Sequence, residues 1–124
     1  MSLKVGAIIA FERTFTQEDV ALFIKISGDE GSHHVTPDEQ GRLVVQGLLT
    51  ATLPTKIGGD YNVLARTMNF EFLRPVFTGD TIICEVKIEQ FEKQDNRTRI
   101  TASFVCENQY GKEVLRGDFS GVIL

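Results

Sequence analysis

Between Arg42 and Lys56 the chain reads LVVQGLLTATLPT and carries no charge. The spacing from Gln46 to about Ile57 is helical, and a helix without a charged face has no broad side to turn to water. It must be buried, and within 124 residues the economical cover for one buried helix is a sheet folded around it. Pro54 lies inside the segment and lacks the N–H of an interior helical bond, which predicts a kink or an early end there. Gly58 and Gly59 predict its close.

The rest of the chain can supply that sheet. Residues 4–15 form an extended segment. Thr16 then opens a first helix: it is a good N-cap, Asp19 holds the capping-box position, and Phe15 with Val20 can form a hydrophobic staple. Val20, Phe23, Ile24 and Ser27 mark one face of this helix, and Gly28 its stop. After Asp60 the period falls to two. Residues 63–76, 81–93, 97–108 and 113–124 read as four long strands joined by the turn-like FTGD, QDN and QYGK.

Two of these strands disagree about their faces. Ile82, Cys84, Val86 and Ile88 share one face, as do Ile100, Ala102, Phe104 and Cys106 of the next strand. A two-residue Asp95-Asn96 turn pairs odd with even positions and sets the two apolar sets on opposite faces. The pattern therefore demands a three-residue loop or a bulge. Cys84 and Cys106 then fall nearly opposite each other, as small buried hydrophobes that stay thiols. In the last strand Leu115, Gly117, Phe119, Gly121 and Ile123 alternate inward, and the glycines would let a helix lie close to the sheet. The expected class is α+β: one domain over residues 1–124, an antiparallel sheet wrapped around a central helix, and a second subunit completing the cover.

Composition narrows the function. The formal charge is −4, the pI is about 5.1, and no basic cluster stands out along the chain, which argues against a nucleic-acid partner. No apolar run is long enough to span a bilayer, and MSLKVGAIIAFER lacks the layout of a cleavable signal. A cytoplasmic protein with no membrane association is expected. No cofactor motif is present, and none is expected.

Both histidines of the chain lie in SGDEGSHHV, residues 27–35, five residues or fewer past Asp29. From spacing alone a solvated loop is the economical reading. A metal held by His33 and His34 is poorer, because neighbours on an extended chain point to opposite sides and no third ligand is near.

Resemblance changes the weight of this loop. SGDEGSHHVTP resembles the S-G-D-x-N-P-[IL]-H-x-D-P loop of the MaoC-like family, the (R)-specific enoyl-CoA hydratases and related hydroxyacyl-thioester dehydratases. VVQGLLTATL resembles that family's V-x-H-G-[ML]-L-x-A-S-L helix, and FEFLRPVFTGDTI its F-x-x-P-V-x-x-G-D strand and turn. The resemblance implies the hotdog fold, a homodimer or dimer-built oligomer, and an acyl thioester substrate carried on CoA or acyl carrier protein. It places Asp29 and His34 on the family's catalytic pair. Gly47 falls on the glycine whose N–H is thought to receive the thioester oxygen, and Thr55 where some hydratases carry an orienting hydroxyl. Gln46 stands where the family has a histidine, and Gly31-Ser32 where it has Asn-Pro. The connection from His34 to Gln46 is also shorter.

The chemistry of the pair agrees with that placement. Hydrating a conjugated thioester needs a base for the water and an acid for the α-carbon, and a carboxylate and an imidazole sharing one water can serve as both. No standard cap precedes Gly47, so its helix offers free N–H groups to a developing oxyanion unless the Gln46 side chain occupies them. Both Asp29 and His34 are expected in a loop outside the core, where replacing them leaves the melting temperature unmoved. A hotdog acyl-CoA thioesterase and a non-catalytic acyl-CoA-binding hotdog protein are the alternative readings.

Overall fold

In the computed structural model, which describes residues 3–124, the conflict of faces is resolved by a bulge. Strands β3 (Thr81–Lys93) and β4 (Thr98–Glu107) pair Lys93 with Thr98 and Gln90 with Thr101, then shift so that Ile88 meets Ala102 and Cys84 meets Cys106. The extra residue is Glu89. Below it, Ile82, Cys84, Val86 and Ile88 face the same side as Ile100, Ala102, Phe104 and Cys106, and all eight are buried. The two cysteines are free thiols in direct register. The neighbouring Cys106 thiol, and then burial, push the Cys84 thiol up, so it stays un-ionised and inert.

Around this pair lie β1 (Ile8–Thr14), β5 (Glu113–Ile123) and β2 (Val63–Phe72). All neighbours are antiparallel, in the order β1-β3-β4-β5-β2, which leaves β1 and β2 as edges. The core fills the space between the sheet and the helical segment that follows Gln46.

Helix α1 (Gln17–Ser27) begins as its sequence dictates. Thr16 accepts from the Asp19 N–H, the Asp19 carboxylate accepts from the Thr16 N–H, and Phe15 and Val20 are fully buried beside them. Gly28 closes it at φ 73, a left-handed conformation that favours glycine. Ser27, expected on the inner face, is exposed.

The charge-free segment forms two helical pieces, α3 (Gly47–Thr50) and α4 (Thr52–Tyr61), joined at Ala51. Pro54 has no N–H to give Thr50, so the break falls just before the proline rather than at it. Gly58 and Gly59 do not end the helix. It continues to Tyr61 and closes on Asn62 at φ 58, because a helical glycine is costly but not forbidden. Nor is the segment covered all round within one chain. Thr50, Ala51, Leu53, Pro54 and Ile57 are buried, while Leu48, Thr52, Thr55 and Gly59 form an exposed stripe at helical spacing.

The glycines of β5 serve a different neighbour from the one expected. A Cβ on Gly117 would run into the Asn69 carbonyl and the Phe104 ring, and one on Gly121 into the Leu64 carbonyl. They admit the backbone of β2, not a helix. Gly117→Ala should accordingly cost roughly 3 kcal/mol, visible as a melting-temperature loss on the order of 10 °C. A variant melting within a degree or two of the parent would show that β2 yields freely.

Candidate active site

The site is built where three segments meet. Gly28 turns the chain out of α1, and the Ser27 hydroxyl accepts from the Asp29 N–H. Asp29 Oδ1 in turn accepts from the Gly31 N–H at 3.3 Å, which leaves Oδ2 free. The next residues are not an extended loop. Ser32–Val35 form a single helical turn, α2, in which the His33 and His34 rings lie tilted by 53° with centroids 3.9 Å apart.

The second segment is Leu43–Val45. It is tied to the FTGD turn by the Val45 N–H on the Val76 carbonyl, the Thr78 N–H on the Leu43 carbonyl, and a bridge from Val44 to Phe77. The turn is fixed in its own right: Asp80 accepts from the Phe77 N–H, and Gly79 sits at φ 94. The Val44 carbonyl, held in this way, lies 2.6 Å from His34 Nδ1. A carbonyl only accepts, so Nδ1 carries the proton and the Nε2 of a neutral ring is a bare lone pair. That Nε2 lies 3.5 Å from Asp29 Oδ2, too far for a direct hydrogen bond. Between two acceptors at this separation, the group that satisfies both is one with two hydrogens. His34 is 5% exposed and belongs to the protein interior, while the Asp29 side chain is 51% exposed. The expectation that both lie outside the core holds for Asp29 alone.

The third segment is the start of α3. Its N-cap Gln46 makes no side-chain cap, so the Gly47 and Leu48 N–H groups have no partner among the described residues. The Gln46 side chain turns inward instead. It is 1% exposed, with Nε2 3.5 Å from the Val20 carbonyl and Oε1 unpartnered. The Phe72 ring covers Gly47, within 2.9 Å of where a Cβ would stand. Sequence spacing carries no sign of the Val44 carbonyl, a main-chain group, or of Phe72.

Thr55 lies two turns further on. Its hydroxyl donates to the Thr52 carbonyl, and the residue lines an apolar cavity of about 140 Å³ with Pro54, Gly58, Val63, Ala65 and Met68. Among the described residues no three His, Cys, Asp or Glu side chains group as metal ligands, and no helix is long and apolar enough to cross a membrane.

With this geometry in view, the similarity of the chain to known proteins can be set beside it. A family model described as the thioesterase superfamily matches residues 39–102. A mitochondrial 3-hydroxyacyl-[acyl-carrier-protein] dehydratase of Solanum lycopersicum, FERN, is 26% identical over 98% of this chain and 78% of its own length. Among solved structures, an (R)-hydratase from A. caviae involved in PHA biosynthesis superposes with a TM-score of 0.84 at 25% identity, covering 99% of this chain and 98% of that one. Protein af1124 of Archaeoglobus fulgidus does so with a TM-score of 0.86 at 27% identity, over 100% and 81%. The chain belongs to the thioesterase superfamily, with the hotdog fold and the MaoC-like resemblance that its three motifs imply.

Proposed function

We propose that the protein hydrates trans-2-enoyl thioesters reversibly to (R)-3-hydroxyacyl thioesters, with Asp29 and His34 as the acid–base pair. The carrying observation is the pair of acceptors, His34 Nε2 and Asp29 Oδ2, 3.5 Å apart. A water donating one hydrogen to each presents its oxygen lone pair to the β-carbon. As the C–O bond forms, one water proton passes to the pair, and the pair returns a proton to the α-carbon on the same face. The product gains one hydrogen at the α-carbon and one hydroxyl at the β-carbon. Negative charge develops meanwhile on the thioester oxygen, and the uncapped Gly47 and Leu48 N–H groups are suited to receive it. Gln46 holds that corner from beneath, and Thr55 lies beside the cavity that suits an acyl tail. Gly58→Leu, which fills this cavity, should lower kcat/KM for an eight-carbon enoyl thioester roughly tenfold or more relative to crotonyl. An equal effect on both chain lengths would place the tail elsewhere.

The superfamily match supports a second reading, thioester hydrolysis. Crotonyl-CoA separates the two: loss of enoyl absorbance without free thiol is hydration, and free thiol release is hydrolysis. Binding without either is the non-catalytic alternative.

The assembly proposed is a homodimer in the cytoplasm. Strand β2 is an unpaired edge with Leu64 and Phe72 exposed, beside the charge-free stripe in which Leu48 is 59% exposed. An edge and an apolar stripe side by side suit a second copy. Leu48→Glu should therefore give a monomer in sedimentation and lose at least about tenfold in turnover. A fully active monomer would remove the second subunit from the mechanism.

A further inference from the structure

Folding makes a basic cluster that the linear sequence does not show. Arg66 comes from β2, Arg99 from the start of β4, and Arg97 from the turn before it. Of the seven arginines, Arg13, Arg42 and Arg116 pair with carboxylates, and Arg74 donates to the Glu113 carbonyl. The other three are exposed, have no side-chain partner among the described residues, and line one depression of about 260 Å³. It lies on the outer face of the sheet, where Arg99 and Thr101 alternate with the buried Ile100 and Ala102. Thr101 and Ser120 share its wall, and no carboxylate does. A second bulge, in β2, contributes too: Arg66 is the extra residue between Ala65 and Thr67, free of the β2–β5 ladder. Three neighbouring guanidiniums that make no ion pair among the described residues repel one another, and an anion seated among them relieves that repulsion.

We propose that Arg66, Arg97 and Arg99 form a phosphate site for the 3′,5′-ADP portion of a coenzyme A thioester. Planar guanidinium forks match phosphate oxygens in pairs, and three of them suit a ligand with several phosphate charges. A small depression receives phosphate groups more readily than the face of a protein. The identity of the carrier rests on the thioester reading above, whereas the anion site itself does not. Arg66 lies towards the opposite end of β2 from Phe72, which covers Gly47 of the same chain. In a two-fold pair of antiparallel β2 strands, the Arg66 end of one subunit lies beside the Phe72 end of the other. Each arginine trio thus serves its partner's site.

The test combines Arg66→Ala, Arg97→Ala and Arg99→Ala in the full chain, with melting curves to confirm the fold. Calorimetry with 3′,5′-ADP should show binding to the parent and roughly tenfold weaker binding, or more, to the triple variant. The ratio of kcat/KM for crotonyl-CoA to that for crotonyl-pantetheine should fall by a similar factor, through KM. Mixing the triple variant with Asp29→Asn, under conditions of subunit exchange, should restore low-KM turnover of crotonyl-CoA. Equal 3′,5′-ADP binding by both proteins, or none by the parent, overturns the site. A larger loss on a crotonyl carrier-protein thioester than on crotonyl-CoA overturns the assigned occupant, and no rescue on mixing overturns delivery across the interface. If the parent turns over neither crotonyl thioester yet binds 3′,5′-ADP through the arginines, the hydratase reading fails and the phosphate site stands.

Discussion

Asp29→Asn should lower crotonyl-CoA hydration roughly a hundred- to ten-thousand-fold and leave the melting temperature nearly unchanged. The substitution keeps the shape of the side chain but replaces an acceptor with a donor. An amide N–H turned towards His34 Nε2 puts a donor where the pair had an acceptor, and the place for a water with two hydrogens to give is lost. Asp29 is half exposed and its one other side-chain contact is the Gly31 N–H, so little stability is at stake. His34 is different. Its Nδ1 proton goes to the Val44 carbonyl and its ring is buried, so His34→Ala should cost about 1–3 kcal/mol as well as activity. The aspartate variant is therefore the clean probe. Unaltered turnover by Asp29→Asn would remove the pair from the mechanism.

Gly47→Pro should lose roughly a hundred- to thousand-fold in turnover with the fold intact. Proline at the first helical position gives up an N–H that has no intrahelical partner in any case. The residue before it must be extended, and Gln46 already sits at φ −59, ψ 140, inside the range a following proline permits. The ring would press on Phe72, which must shift to admit it. Gly47→Ala is the control, because it displaces Phe72 in the same way and keeps the N–H. A large loss in the proline variant with near-parental activity in the alanine one assigns the effect to the missing donor. Equal losses would mean that the position of Phe72, not the N–H, matters.

Part of this architecture is legible in the amino-acid sequence. The start of α1 needs only Phe15, Thr16, Asp19 and Val20, since a capping box and a staple are local contacts. The bulge at Glu89 shows as a parity conflict, and its resolution places Cys84 against Cys106. What stays hidden depends on groups far apart in sequence or on main-chain atoms. His34 is buried because the Val44 carbonyl, ten residues on, holds its ring, and no side-chain pattern announces a carbonyl. The glycines of β5 do mark a close approach. Which element comes close is decided by the crossover that brings β2 to β5, and alternation within β5 cannot show it. The arginine cluster is hidden for the same reason, as Arg66 lies far along the chain from Arg97 and Arg99.

That crossover also sets the order in which the protein can be made. β2 is the second strand synthesised, yet its one partner among the described residues of the chain is β5, the fifth. Until β5 has left the ribosome, β2 trails behind the central helix with both edges unsatisfied. Its Leu64 and Phe72 meanwhile have no sheet to join. The intervening hairpin of β3 and β4 can form from local contacts, but the cover of the helix closes only when residues more than forty positions apart meet (Phe72 with Leu115, for instance). Long-range pairing of this kind is slow and leaves sticky edges exposed while it is pending. A nascent chain stalled before β5 is thus a candidate for chaperone capture.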